Sequence, residues 1–502
     1  IGRLGGTRYY YNFAGQMTCV MSDCGLGANY EYDNNGALIK TECDNGLTTP
    51  YTRDSRGRLE SLRAGFVGET ALLDARYTYD GNGNRTRKEE KFFLQNGKTP
   101  TGAVTQYAYD SMNRLTMEIR NGLATTYTYD MAGNRTSRLK GDDREEYRYN
   151  SRNQLTELTG AGKRTSYQYD PAGNLTQEQQ FIQGCAETRR YAYDAYNRNT
   201  EVRGEDFLHK NFYDAEGLRN RTEENGKATD FVYSGDMLYS EKDVNSTRER
   251  RYILGNEYLG HEDLMQDVTF SGENQKQEYS YITDEQGSLR YILNADRQTE
   301  TYQEYSAFGE RIWQEGASSR LGYNSQMGDE LTGLTYLRAR YYNPAIGRFT
   351  QEDVIYDDGF NLYAYCGSNP VIYCDPSGFE KKTSINLANC NKEGGEKDSN
   401  SDKTRVRHYT NSKGLKGIQE SGVIYAQDNN RVYIELAKNK PLSSVEAEFI
   451  YQLKQGKGKN YIEFDINTSC LEWVQNPRYH RMELTVKGDV HIQNEKIFKR
   501  KK

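Results

Sequence analysis

Long apolar runs and metal-binding residues are both scarce in this sequence of 502 residues. No stretch approaches the roughly 18 consecutive apolar residues of a membrane helix, so no membrane span is expected. The 5 histidines are scattered and the 8 cysteines form no CxxC pairs, which argues against a zinc site, and no metal is expected. Only 35% of the residues are apolar and the mean hydropathy is -0.97, values that usually indicate disorder.

A repeated phrase argues against disorder. It occurs nine times between residues 32 and 217 and reads Tyr or Arg, then Asp or Asn, two variable residues, then Gly or Asn. From Tyr109 onward its tyrosines recur at a usual step of twenty residues. The chain also holds 43 tyrosines and only 8 prolines. A fixed period of this size indicates one supersecondary unit repeated and stacked.

Each copy of the phrase has the chemistry of a tight turn. Asp at the first position accepts hydrogen bonds from the backbone two residues on, and Gly at the fourth adopts a positive φ at little cost. Where Gly is missing the chain offers Asn, at Asn113, Asn153 and Asn197. Alternating segments such as residues 127–129 flank the turns, so each unit is a β-hairpin. The sequence therefore predicts a mostly β fold, a coiled sheet of hairpins with two wet faces.

The densest motif lies downstream, in residues 336–353, and it continues through residues 361–365 and 369–370 to residues 375–379. These residues closely resemble the core-domain signature of Rhs/YD-repeat proteins, and residues 1–300 resemble their YD repeats. The resemblance implies a hollow shell over residues 1–300, a core domain over residues 301–379 that closes one end, a linker over residues 380–404 and a variable toxin over residues 405–502.

The same resemblance implies self-cleavage by an aspartyl protease. Carried over by motif, the catalytic residues are Arg340, Asp353 and Asp375, and the cut follows Phe379. Many relatives have Pro directly after the middle Asp, whereas this chain has Val354. Two carboxylates held close together cannot both ionise, so one can act as an acid while the other activates water. From the residues alone, both Asp would be ordinary turn residues beside prolines.

The tail differs from the body in charge and in pattern. Residues 380–502 carry 23 Lys and Arg against 16 Asp and Glu, whereas the whole chain has a net charge of -6. Alternation predicts strands over residues 406–410, 431–435, 461–466 and 482–486. Apolar spacing predicts helices over residues 414–420 and 443–453. The tail is therefore predicted to be a small α+β domain.

The segment His408, Tyr409 and Thr410, followed by a helix and then Tyr433, resembles ADP-ribosyltransferase toxins with a His–Tyr–acid signature. The resemblance implies NAD as the substrate, with these four residues in contact with it. It assigns His408 to a ribose hydroxyl, Tyr433 to the nicotinamide, and an acid to the oxocarbenium-like transition state. By position that acid is Glu483, while Asp465 and Glu463 compete for the role. From the residues alone, His408 and Tyr433 would be a surface residue and a packing residue.

Three other interpretations stay open. The basic tail would suit a nuclease, and His480 beside Arg481 could serve an RNase. NAD hydrolysis without transfer to a target is a close variant of the transferase. An adhesive surface protein that binds carbohydrate would use the Tyr-rich sheet alone and would need no cleavage motif.

The resemblance to toxins also implies partners. We expect a cognate immunity protein, a target protein or nucleic acid in a recipient cell, and a secretion or delivery module N-terminal to Ile1. The expected location is secreted or at the cell surface, with the tail acting in the cytoplasm of a target cell.

Overall fold

The computed structural model describes residues 2–4, 6–22, 25–93, 100–160, 162–246, 248–265, 275–355, 361–383, 403–425, 431–436, 460–467, 471–475, 482–487 and 490–499. The chain divides into two compact units, Ile1–Glu393 and Gly394–Lys502. No helix among the described residues is long and apolar enough to cross a membrane.

The first unit is built on one antiparallel sheet of 29 strands, in which each strand pairs with the next along the chain. This confirms the predicted mostly β fold of coiled hairpins. The sheet extends to Gly316, past the predicted boundary at residue 300. Its strands are Gly2–Leu4, Thr7–Tyr11, Met17–Met21, Ala28–Tyr32, Leu38–Cys43, Leu47–Arg53, Leu59–Phe66, Leu73–Tyr79, Arg85–Phe92, Thr101–Tyr109, Leu115–Arg120, Leu123–Tyr129, Arg135–Lys140, Asp143–Tyr149, Leu155–Gly160, Lys163–Tyr169, Leu175–Ile182, Cys185–Tyr193, Asn199–Arg203, Leu208–Tyr213, Arg219–Glu224, Lys227–Ser234, Met237–Asp243, Arg248–Leu254, Tyr258–Met265, Gln275–Thr283, Leu289–Asn294, Thr299–Tyr305 and Arg311–Gly316.

The turns have the predicted chemistry. At Asp130 the carboxylate accepts a hydrogen bond of 2.8 Å from the backbone of Asn134, and Gly133 has a φ of 82°. Asn153 takes the same left-handed position in its own turn, with a φ of 59°. The strand register shifts at the motif tyrosine, between Thr128 and Tyr129, which is a β-bulge. The phrase therefore encodes a turn closed by Asp, with the bulge placed at the tyrosine.

The motif tyrosines join successive hairpins. The hydroxyl of Tyr129 donates a hydrogen bond of 2.7 Å to the carbonyl of Leu115, and that of Tyr149 donates one of 2.8 Å to the carbonyl of Arg135. Each acceptor is the first residue of a neighbouring strand. The phenol thus packs as an apolar ring while its hydroxyl satisfies a carbonyl of the preceding unit. This is why tyrosine, and not phenylalanine, marks the repeat.

Asparagine side chains form a second ladder, which the core residues join. Asn134 donates an amide hydrogen bond of 2.9 Å to the side chain of Asn153 in the next turn, and Asn174 does the same to Asn197. From the core, Asn361 donates to the side chain of Asn134 at 2.8 Å. The repeats therefore offer the core a row of amides with a defined spacing.

One face of the sheet is buried, contrary to the expected pair of wet faces. Leu155, Leu175 and neighbouring tyrosines pack there against core residues that include Leu334 and Tyr336. The earlier strands, between residues 20 and 103, pack against residues 253–302 of the same sheet. The low apolar content is concentrated on this face, which explains how so polar a sequence forms a core.

Charged residues are buried where early strands meet the returning sheet. Arg85 and Lys88 pair with Glu285 at 2.5 and 3.1 Å, and all three side chains are less than a tenth exposed. Burial, and then the adjacent Glu285 carboxylate, raises the pKa of Asp284 from 3.8 to about 6. The folded chain therefore holds the Asp284 proton more tightly than the unfolded chain does. The contribution of Asp284 to the free energy of unfolding is therefore present at acid pH and is lost as pH rises from 3.8 through about 6.

We expect Asp284→Asn to raise the free energy of unfolding at neutral pH by up to about 3 kcal/mol. The amide oxygen retains the acceptor for the backbone of Gln286 and Ser288 and removes the cost of ionising a buried acid. The gain should vanish in acid, where the parent carboxyl is already protonated. Denaturant titrations at the two pH values measure it, with Asp54→Asn, at a partly exposed turn aspartate, as the control. A gain that persists in acid would contradict this interpretation.

The core residues form small, irregular elements. A four-stranded sheet contains Met327–Asp329, Leu334–Leu337, Arg340–Asn343 and Arg348–Phe349. Tyr373–Cys374 pairs with Lys382–Thr383, and two 3-10 turns lie at Tyr323–Ser325 and Cys366–Ser368. The strand pair Tyr373–Cys374 and Lys382–Thr383 brackets the predicted cut after Phe379.

The tail unit has the predicted α+β composition. Its helix spans Ser412–Ser421, begins after an Asn411 side-chain cap and ends at left-handed Gly422. The predicted strands appear as Lys403–Thr410, Arg431–Tyr433 with Glu435–Leu436, Asn460–Asn467 and Met482–Lys487. Further strands are Val423–Ile424, Leu471–Gln475, Val490–His491 and Gln493–Lys499. The predicted helix over residues 443–453 and His480 and Arg481 lie outside the described residues.

Candidate functional site

The carboxylate of Asp375 organises the loop that carries the predicted cut. Its Oδ1 accepts hydrogen bonds from the backbone of Gly378 at 2.8 Å and Phe379 at 3.2 Å, and from the hydroxyl of Ser377 at 3.1 Å. The Ser377 oxygen also accepts the backbone N–H of Glu380 at 3.4 Å. The N–H of the peptide between Phe379 and Glu380 therefore donates to the Ser377 hydroxyl, which in turn donates to the Asp375 carboxylate.

Arg340 brings the two predicted carboxylates together. Its Nη2 lies 2.7 Å from Asp353 Oδ2 and 3.6 Å from Asp375 Oδ2. All three side chains are almost fully buried. Arg340 also donates through Nε to the carbonyl of Gly378, next to the loop's predicted cut. A guanidinium shared between two carboxylates and the loop backbone is suited to orient all of them.

Burial sets the protonation of the pair. It raises the pKa of the Asp375 carboxyl above 3.8, against the opposing effect of the Arg340 charge. Asp353 has the shorter contact with the guanidinium, and its Oδ1 accepts the backbone N–H of Ile355 at 2.8 Å. Of the two carboxylates, Asp353 therefore has the closer contact with the Arg340 charge. Val354 is 65% exposed, and the chain bends there without the proline of many relatives.

Gly378 is required by the loop's close approach to the core. Its φ is 74°, and a Cβ there would overlap the carbonyl oxygen of Leu337 and lie 2.9 Å from the nitrogen of Arg340. We expect Gly378→Ala to displace the loop from Arg340 and to slow self-cleavage by about a hundredfold. Gly57→Ala, at a turn where a Cβ meets nothing within 4 Å, is the matched control. Time courses on denaturing gels measure it, and equal rates for Gly378→Ala and the parent would contradict it.

Several contributors were missed from the sequence. The carbonyl of Leu362 accepts from Arg340 Nη1 at 2.9 Å and from the backbone of Asp353 at 3.0 Å. The Arg340 guanidinium also lies 3.6 Å from the ring centre of Phe349. A backbone carbonyl leaves no residue-type signal, whereas the Ser377 hydroxyl stands inside the motif and could have been noted.

In the tail, His408 and Tyr433 are brought together. The Nδ1 of His408 lies 2.8 Å from the backbone carbonyl of Tyr433. Because a carbonyl only accepts, the neutral imidazole carries its proton on Nδ1, and Nε2 is then the acceptor nitrogen. Thr410 shares the face of His408 on the strand. Tyr409 points the other way, where its ring centre lies 5.7 Å from that of Tyr461, and its contact with NAD stays a prediction.

Strand register separates the candidate acids. Asp465 and Glu463 pair in register with Arg405 and Arg407 and form ion pairs with them at 2.8 and 2.6 Å. Since strand neighbours alternate in face, both acids lie on the face opposite His408.

Glu483 lies in a different sheet, on Met482–Lys487. It stands two residues before Thr485, which is the register partner of Tyr433. The backbone of Glu483 is described, and its side chain lies outside the described part of the structure.

A comparison with known families accounts for the larger unit. Residues 98–371 match the family described as Teneurin YD-shell, which is more than half of the chain. The chain belongs to the teneurin YD-shell family. Residues 406–494 match a second family, described as HYD1 signature containing ADP-ribosyltransferase. The tail following the YD-shell is therefore similar to ADP-ribosyltransferases over nearly all of its strands.

Two known relatives of this YD-shell chain are named as nucleases. The tRNA nuclease WapA of Bacillus subtilis strain 168 is 30% identical over 394 residues, covering 74% of this chain and 16% of that protein. The probable deoxyribonuclease RhsB of Dickeya dadantii is 28% identical over 382 residues, covering 70% of this chain and 26% of RhsB. The chain thus spans about a sixth to a quarter of these relatives.

A solved structure agrees with the YD-shell fold. The Photorhabdus luminescens Tc holotoxin pore with a mutated TccC3 aligns with a TM-score of 0.55 at 18% identity. The alignment covers 76% of this chain and 21% of that one.

Among the described residues, no group of three His, Cys, Asp or Glu is placed to hold a metal ion.

Proposed function

We propose that this chain is the C-terminal part of a toxin whose core cuts the chain between Phe379 and Glu380 and whose tail consumes NAD. The observation that carries the proposal is the convergence of Arg340, Asp353 and Asp375 on the loop that holds this peptide. The three residues stand on separate segments of the motif region, and nothing in turn formation alone requires them to meet. A YD-shell followed by an ADP-ribosyltransferase-like tail is the context in which such a cut separates two units.

The cleavage is a hydrolysis. Ionised Asp353 takes a proton from water, and the water oxygen bonds to the carbonyl carbon of Phe379. The C–N bond then breaks, and the proton of neutral Asp375 goes to the nitrogen of Glu380. Arg340 stabilises the ionised carboxylate and holds the loop through the Gly378 carbonyl. The products are a new carboxyl terminus at Phe379 and a new amino terminus at Glu380.

The tail reaction is the loss of nicotinamide from NAD. His408 Nε2 accepts a hydrogen bond from a ribose hydroxyl, and the Tyr433 ring covers the nicotinamide. The Glu483 carboxylate stabilises the positive charge that develops at the ribose carbon. The ADP-ribose passes to a nucleophile of a target or to water. The His408–Tyr433 contact and the register of Glu483 relative to Tyr433 support this set over one that uses Asp465 or Glu463.

A nuclease tail is the second candidate, because the relative WapA is named a tRNA nuclease. Inducible expression of the full chain in bacteria distinguishes the two. We expect growth arrest with a fall in cellular NAD while RNA stays intact. Growth arrest with degraded RNA and unchanged NAD would favour the nuclease. Growth without arrest, and with NAD unchanged, would favour an adhesin and would contradict the proposal.

Delivery and self-protection are part of the same proposal. A toxin of this kind needs a cognate immunity protein in the producing cell, and co-expression of that protein should restore growth. It also needs a secretion or delivery module N-terminal to residue 1, so that the tail reaches the cytoplasm of a target cell. The longer relatives, of which this chain spans a fraction, support such a module.

A further inference from the structure

One buried amide side chain links the shell to the strands that carry the cleavage residues. Gln351 lies two residues before Asp353 and is 2% exposed. Its Oε1 accepts the backbone N–H of Tyr341, the residue after Arg340, at 2.8 Å. Its Nε2 donates to the carbonyl of Asn197 at 2.9 Å. The Gln351 side chain, which belongs to the Asp353 segment, thus contacts both the Arg340 strand and a turn of the repeats.

A second contact joins the same segment to the shell. The backbone N–H of Leu175 donates to the carbonyl of Thr350 at 2.9 Å, and the Thr350 N–H donates to the carbonyl of Tyr341 at 2.9 Å. The Thr350 hydroxyl also donates to Gln351 Oε1 at 3.1 Å. Residues 350 and 351 therefore form hydrogen bonds both to the shell and to the strand of Arg340. Asp353 is fixed relative to Arg340 through groups that the shell holds.

We propose that Gln351 is a positioning residue that couples the self-cleavage site to the shell turn at Asn197. The inference rests on the proposed self-cleavage. Gln351 touches neither the cut peptide nor a catalytic carboxylate in the described contacts, so it acts through the placement of Arg340 and Asp353. The consequence is that cleavage waits until the repeats around residues 169–197 have folded. The tail is then released from the chain only after a shell exists.

The shell turn can be loosened at a distance from the cleavage site. Asp194 closes the Asn197 turn by accepting backbone N–H groups from Tyr196 and Arg198 at 2.9 and 3.0 Å, and it pairs with the Arg198 guanidinium at 2.7 Å. Asp54 makes the same bonds with Arg56 and Arg58 in its own turn. Asp194→Ala and Asp54→Ala are therefore a matched pair, in which the turn of Asp194 contacts Gln351 through Asn197 and the turn of Asp54 has no such bond among the described contacts.

The experiment follows cleavage of the full chain during pulse-labelled cell-free synthesis. We expect Gln351→Ala and Asp194→Ala to slow cleavage by about tenfold or more, because a misplaced catalytic group costs rate steeply. Gln286→Ala, which removes a buried amide donor to the Pro370 carbonyl elsewhere in the core, should cleave at the parent rate, as should Asp54→Ala. Thermal unfolding of each chain checks that stabilities are comparable.

Gln351→Glu separates the effect of the Tyr341 hydrogen bond from that of the Asn197 hydrogen bond. It also provides a second test in case Gln351→Ala fails to fold. It retains the acceptor for Tyr341 and loses the donor to Asn197, so coupling to the shell predicts slow cleavage. Parent rates in Gln351→Glu and Asp194→Ala would overturn the inference, while cleavage by the parent and none by Asp375→Asn would leave the proposed function standing. A parent chain that stays whole would instead remove the proposed function and this inference together.

Discussion

Replacing Asp375 by Asn is expected to stop self-cleavage, slowing it by at least about a thousandfold. The amide oxygen can still accept the 2.8 Å bond from the backbone of Gly378, so the loop keeps its shape. What is lost is the proton that the leaving nitrogen of Glu380 needs. The variant therefore separates chemistry from folding better than an Ala change would.

The measurement is the fraction of intact chain over time on denaturing gels, with Asp54→Asn as the control for a turn aspartate outside the core. The control should cleave at the parent rate. Cleavage of Asp375→Asn at a rate similar to the parent would mean that another group supplies the proton, and the assignment of Asp375 as the acid would be wrong.

The pH dependence of cleavage follows from the same carboxyl. Burial raises the pKa of Asp375 above 3.8, and the reaction uses its protonated form. We therefore expect the rate to fall as pH rises through that raised pKa. The free energy of unfolding also falls as pH rises from 3.8 through the raised pKa, because the unfolded chain binds that proton less tightly than the folded chain does.

Replacing Glu483 by Gln is expected to reduce nicotinamide release from NAD by about a hundredfold or more. The neutral amide cannot stabilise the positive charge at the ribose carbon, although it is nearly the same size. Asp465→Asn is the matched control, because Asp465 pairs with Arg405 on the strand face opposite His408. Release of nicotinamide from NAD by the full chain, separated by chromatography, gives the rates.

A loss of activity in the control instead of in Glu483→Gln would change the assignment of the acid. If Asp465→Asn abolishes nicotinamide release and Glu483→Gln does not, the acid has been assigned to the wrong strand, although the tail would still consume NAD. His408→Ala should be slow in either case, because the His408–Tyr433 contact does not depend on the choice of acid. Transfer of adenylate-labelled ADP-ribose to protein, measured in the same samples, separates a transferase from an NAD hydrolase.

The repeat could be predicted from sequence because its determinants are local. Asp130 and Gly133 close one turn by contacts within five residues, and the hairpin follows from that turn. The same holds for the helix Ser412–Ser421, which Asn411 and Gly422 delimit. The buried face of the sheet could not be predicted, since the apolar cluster that contains Leu155 also includes core residues far along the chain, such as Leu334 and Tyr336.

The candidate sites show the same division between local and distant determinants. Arg340, Asp353 and Asp375 could be named from their motif, and the structure brings them together. The role of Gln351 could not be foreseen, because its partner is the backbone carbonyl of a distant turn and any residue type could supply it. In the tail, the sequence left three acids open, and only strand register separated Asp465 from the face of His408.

Intact mass of the full chain after synthesis tests the central claim most directly. The proposal predicts two fragments, residues 1–379 and 380–502, with the second beginning at Glu380. Asp375→Asn, prepared alongside, should give one species with the mass of the whole chain. A parent chain that also remains whole, in a folded state and across the acid-to-neutral range, would contradict self-cleavage and leave the convergence of Arg340, Asp353 and Asp375 as a structural ion-pair network.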